Sequence, residues 1–174
     1  MGLAERGRVY DQGTPRGGKK TGKNPTDRAK QGVKRSQLVD GRGVPVGLAV
    51  EGANRPDHTL LRETLESIPV ERPQPSEAEP QGMCLDNGYK YAEPKALVAE
   101  FGFTVHLPKD PAQAKAAKRK AGHKARRWVV ERTHSWLNRF RGILIRWNKK
   151  PENYIAMLHF AFALITYRAA GLSG

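Results

Sequence analysis

Apolar positions along the chain change period several times, and each change marks an element. From Met1 to Val33 the chain is Gly-, Lys-, Arg- and Pro-rich with no apolar period. This composition predicts a flexible basic N-terminal segment over 1–33, unable to bury a core by itself. Two β-type runs, Ser36 to Val39 and Val44 to Val50, then flank Asp40-Gly41-Arg42-Gly43, a strong hairpin pattern. Asn54-Arg55-Pro56-Asp57 reads as a turn with Asp57 at the N-cap of a helix. In that helix Leu60, Leu61, Thr64, Leu65 and Ile68 recur at helical spacing. A proline-rich loop over Pro69 to Gln81 follows, then a buried strand, Met83 to Asp86, ending at Asn87-Gly88. Ala92 to Phe101 reads as a helix closed by Gly102, and Phe103 to Leu107 as a strand. Lys109 to Lys124 is basic and alanine-rich, and Arg127 to Arg141 is patterned as an amphipathic helix. Tyr154 to Tyr167 is apolar nearly all round, which predicts an internal helix.

Hairpin, helix, strand, helix, strand, helix, helix is the order of an α/β domain with a mixed sheet, here over residues 34–170. In such sheets functional side chains gather where strands end and turns begin.

Composition adds the partner. Lys and Arg number 31 against 17 Asp and Glu, a formal charge of +14. That surplus favours a polyanion, because neutralising phosphates releases their condensed counterions. One cysteine, Cys84, excludes an intramolecular disulfide and a cysteine zinc site and fits a reducing, cytoplasmic setting. The apolar run at Tyr154 to Tyr167 is too short to span a bilayer, so no membrane partner is expected.

Between Lys115 and Lys150 there are 13 Lys or Arg residues and a single acid, Glu131. On a helical wheel Val129, Thr133, Trp136, Leu137 and Phe140 form the core-facing stripe. Glu131 points away with Arg127, Ser135 and Asn138; Arg132 and Arg139 lie on one flank, His134 and Arg141 on the other. A carboxylate amid cations either pairs with a neighbour such as Arg127 at helical spacing or holds a divalent metal beside phosphate. Asp86, where a strand gives way to Asn-Gly, has two readings as well: an Asx-turn cap, or an acid projecting towards a site. Asp40 reads as turn chemistry, and Asp57-His58 as a helix start. His106, His123 and His159 have no partners at ligand spacing. Trp128, Trp136 and Trp147 could stack on bases, although aromatic residues at helical positions commonly serve the core. RGGKKTGKNP carries glycines but follows no strand, so no phosphate loop is read there.

Three collinear stretches, TGKNPTDRAKQGVKRSQLVDGRGVPVGLAVEGANRPD, LDNGYKY and RRWVVERTHSWLNRFRGILIRW, resemble transposases of the fifth family of bacterial insertion sequences. The resemblance spans Gly17 to Ala169. It implies an RNase H-like fold in which two aspartates and a glutamate bind a pair of divalent ions, Mg or Mn, for strand nicking and transfer on DNA. By this resemblance Asp86 matches the second aspartate and Glu131 the glutamate, with Arg127 as the arginine of the same signature. Lys124 stands where the signature carries a tyrosine, and Asn138, beside Arg139, where it carries a lysine. Lys124, Arg127, Arg132, Asn138, Arg139 and Arg141 are thus the expected DNA contacts. The first aspartate would fall near Arg8, in a context that does not match, so the first strand is expected to be missing or degenerate. The resemblance then implies a chain inactive alone, completed by an upstream-frame product or by full-length transposase. A non-catalytic basic DNA-binding or transposition-regulating protein is the alternative reading.

Overall fold

The structure, a computed structural model, describes residues 3–4, 11–12, 18–25, 30–107 and 128–172. Among these, strands β1 (Leu3–Ala4), β2 (Asp11–Gln12), β3 (Gly22–Lys23), β4 (Gln31–Val39), β5 (Pro45–Gly52), β6 (Gly82–Cys84) and β7 (Thr104–His106) form one sheet. The helices are α1 (Leu61–Glu66), α2 (Ala92–Glu100), α3 (Trp128–Leu137), α4 (Arg141–Leu144) and α5 (Pro151–Ala169).

The predicted hairpin is the spine of the sheet. β4 and β5 pair antiparallel from Val33 opposite Gly52 to Val39 opposite Pro45. Asp40 makes the turn: its Oδ1 accepts from the backbone N–H groups of Arg42 and Val44, both at 2.8 Å. Gly43 adopts φ +84°, a left-handed conformation that a side chain would strain. β1 lies beside β4, antiparallel with Leu3 opposite Val39, and parallel to β6 with Leu3 opposite Cys84. β7 extends the parallel half. This is the expected α/β, RNase H-like mixed sheet flanked by helices, and its first strand is two residues long.

Helices cover both faces. On one, α1 and α2 bury Leu61, Leu65 and Val98 against Leu38, Met83, Leu85 and Phe103. The α1–sheet approach needs Gly47, where a Cβ would stand 2.7 Å from the Thr64 carbonyl oxygen. On the other, α3 and α5 bury Leu137, Tyr154, Leu158 and Phe162 against Val33, Leu48 and Val50. Each such large apolar side chain contributes roughly 1.5–3 kcal/mol relative to exposure. α5 starts with Pro151 in its first turn, where no backbone donor is missed.

Four expectations need correction. β4 begins at Gln31, so a boundary at residue 34 falls inside a strand. In the preceding stretch, β2 and β3 are paired to β4 rather than free. Asp57 is not an N-cap: Pro56 holds that position, and Asp57 instead pairs with Lys34 Nζ at 2.9 Å. α5 is not internal. It buries Tyr154, Leu158, Ala161, Phe162 and Ile165 along one face while Met157, Phe160 and Tyr167 stay exposed, because one sheet can cover only one side of a helix. α3 ends at Leu137, and a turn separates it from α4. Its buried side includes Val130 and His134 beside Val129, Thr133 and Leu137, while Trp136 and Phe140 are half-buried. Asn138, Arg139 and Arg141 therefore lie beyond the helix that carries Glu131 rather than along it. None of the helices among the described residues is long and apolar enough to cross a membrane.

Candidate functional site

Asp86 leaves the sheet just after β6. Its Oδ1 accepts from the Gly88 N–H at 2.7 Å and caps the 3-10 turn Asn87–Tyr89. The Asx-turn reading is thus present, and it fixes the carboxylate's orientation at the strand end. Glu131 is exposed in the first turn of α3, an end where the helix dipole favours an anion. Neither acid stands free: each interacts with neighbouring groups in the fold. They border one apolar cluster: Val129 and Val130, just ahead of Glu131, pack with Val39, and Cys84, two residues ahead of Asp86, packs against them. Among the described residues no group of three His, Cys, Asp or Glu side chains is placed to hold a metal ion.

α3 is pinned over this end of the sheet. The Thr133 hydroxyl donates to the Gly43 carbonyl at 2.6 Å, joining the helix to the hairpin turn. Arg132 folds back over the Trp136 ring, 4.9 Å from its centroid, and is half-buried. Asn138, Arg139 and Arg141 are exposed in the turn after α3 and at the start of α4. Lys124 and Arg127 lie outside the described residues.

Beneath α3 is a polar layer that the sequence pattern did not reveal. Arg35 is 1% exposed, and among the described residues none of its guanidinium nitrogens has a hydrogen-bond partner; the Gln37 amide and both His134 ring nitrogens are likewise buried without partners among those residues. Burial, and next the positive charge of Arg35, depress the His134 pKa from 6.5 to about 4, so the ring is neutral at physiological pH. Alternation along β4 was the available signal: Val33, Arg35, Gln37 and Val39 share a face, and the two valines place that face in the core.

A second cationic feature escaped the sequence reading. Arg146 is buried and donates to the carbonyls of Lys19 and Lys20, at 3.0 and 3.2 Å, and of Asn148 and Lys149, at 3.1 and 3.3 Å. It is a clamp on the loop after α4, not a surface cation.

A mixed sheet with helices packed on both faces defines an α/β class of domain, with one acid at a strand end and another on the helix packed over it. Residues 8–166 match the family described as Transposase DDE domain, and the chain belongs to that family. It is also 32% identical over 150 residues to a transposase for insertion sequence element IS402 from Burkholderia cepacia, covering 85% of this chain and 69% of that protein. No solved structure matches the chain.

Proposed function

We propose that this chain is the core of an insertion-sequence transposase that cleaves and joins DNA strands, with Asp86 and Glu131 as its metal-holding acids. The observation that carries the reading is the shared apolar cluster, which brings the strand end before Asp86 against the helix turn before Glu131. Their hard oxygen donors suit Mg or Mn. When bound, such ions supply a water nucleophile at neutral pH and stabilise the entering and leaving oxygens of an in-line displacement at phosphorus. Asp86 is held in orientation by its turn, and Glu131 by a helix tied to Gly43. Arg139 and Arg141 are free to reach phosphates, with Lys124 and Arg127 assigned the same role from the family signature alone. The position of the first aspartate, near Arg8, lies outside the described residues. We assign the third carboxylate to an upstream-frame product or to full-length transposase, so the chain alone binds metal and DNA without sustained cleavage. The DNA it would act on places it in the cytoplasm.

Titration calorimetry with Mn tests the acids. Asp86→Asn and Glu131→Gln should each weaken Mn binding by about tenfold or more, since even outer-shell partners are worth about 10–100-fold. Unchanged affinity in both variants would remove the metal role. The second reading, a regulator or binding protein without metal chemistry, is favoured by the exposed cations Arg139, Arg141, Lys149 and Lys150, which suffice to attract DNA. It predicts DNA affinity independent of Mg in both wild type and Glu131→Gln.

A further inference from the structure

Trp147 is the most exposed large apolar side chain among the described residues, at 69%. Trp136 packs against the cluster of α5, whereas Trp147 stands on the loop between α4 and α5. That loop is rigidly built. Arg146, buried and stacked 5.7 Å from the Tyr154 ring centroid, draws the carbonyls of Asn148 and Lys149 inward. Trp147 and the side chains of Lys149 and Lys150 remain outside. Other apolar side chains are exposed on the two helices that flank this loop. Leu144 is exposed on α4, and Asn148 Nδ2 lies 3.4 Å from Sδ of Met157, which with Phe160 forms the uncovered side of α5.

The stretch of chain that carries this patch has charge of one sign. Between Glu131 and Glu152 the chain carries Arg132, Arg139, Arg141, Arg146, Lys149 and Lys150 and no acid. A second copy of a +14 chain would be repelled from such a surface, whereas phosphates are drawn to it. Aromatic side chains can stack only on a base that has left its own stack, which makes an unpaired base the complementary partner.

We propose that Trp147 is a base-stacking residue, holding an unpaired or flipped-out base of the DNA while Lys149, Lys150 and Arg141 take the flanking phosphates. This rests on the reading of the chain as a DNA-processing core and adds to it a site apart from Asp86 and Glu131. The preset loop matters because an indole held in place before binding loses little rotamer freedom on contact.

The test uses the full chain and two short duplexes, one fully paired and one carrying a single unpaired 2-aminopurine. Trp147→Ala should weaken binding of the unpaired-base duplex about 5- to 150-fold, the range for one lost base–aromatic stack, and abolish 2-aminopurine quenching. Trp147→Phe should retain most of both signals, and the paired duplex should bind all three proteins alike. Because Trp147 is exposed, circular dichroism melts of the variants should match wild type. If Trp147→Ala binds the unpaired-base duplex as wild type does, stacking at this site is refuted while the DNA reading stands. Loss of self-association in sedimentation, with DNA affinity intact, would assign the patch to a second copy instead. Wild-type protein that binds neither duplex overturns both readings.

Discussion

His134 shows how one side chain in the wrong medium governs a measurable property. In the folded chain its pKa is about 4 against an ordinary 6.5, so between those values the unfolded chain binds the proton and the folded chain does not. Stability is therefore full above pH 6.5, falls as pH drops towards 4, and changes no further below it on account of this residue. The shift corresponds to about 3 kcal/mol. His134→Leu should remove this component, so urea unfolding of wild type and variant should diverge in pH dependence across that window. Parallel curves would mean that the ring is solvated. His134 was not legible as buried from the chain alone, and Arg35 only through its place in the β4 alternation. Residue chemistry predicts charged and polar side chains at the surface, and only tertiary packing decides that a particular one is trapped. The acids fared differently. Asp40 was readable as a turn because its chemistry is local. Asp86 was readable as either a cap or a site acid because both roles begin from the same place at a strand end.

Elements with a clear period were recovered from pattern: the β4–β5 hairpin, α1, α2 and the strand before Asp86 all fall where apolar spacing placed them. Misreadings cluster where the period continues past a break. The stripe Val129, Thr133, Leu137 runs smoothly on to Phe140, yet the helix stops at Leu137, and no glycine or proline marks the stop. For α5, composition gave the helix but not its uncovered side, since apolar content on all faces carries no information about how many neighbours exist. The tie between α3 and the hairpin belongs to this scale. Thr133 and Gly43 are 90 positions apart, and their 2.6 Å hydrogen bond sets the helix bearing Glu131 against the turn. Thr133→Val keeps the shape and leaves the Gly43 carbonyl without this donor. It should lower stability by about 1–3 kcal/mol in chemical denaturation, and a loss below the precision of the method would show that water takes over the bond.

At the scale of the molecule, charge rather than shape dictates how a polyanion is met. With +14 overall, the logarithm of the DNA-binding constant should fall linearly with the logarithm of salt concentration, by about 0.9 for each duplex phosphate contacted. Replacing Arg139 and Arg141 together by Gln should make that line shallower by about two; anisotropy titrations over a salt series would reveal an unchanged slope if these arginines face away from DNA. The joining of the sheet also belongs to this scale. Backbone pairing between its antiparallel half, β4 with β5, and its parallel half, β6 with β7, runs solely through Leu3 and Ala4 among the described residues. Among the described residues, two panels are thus joined through Leu3 and Ala4, and Leu38 of one shares a buried apolar cluster with Met83 and Leu85 of the other.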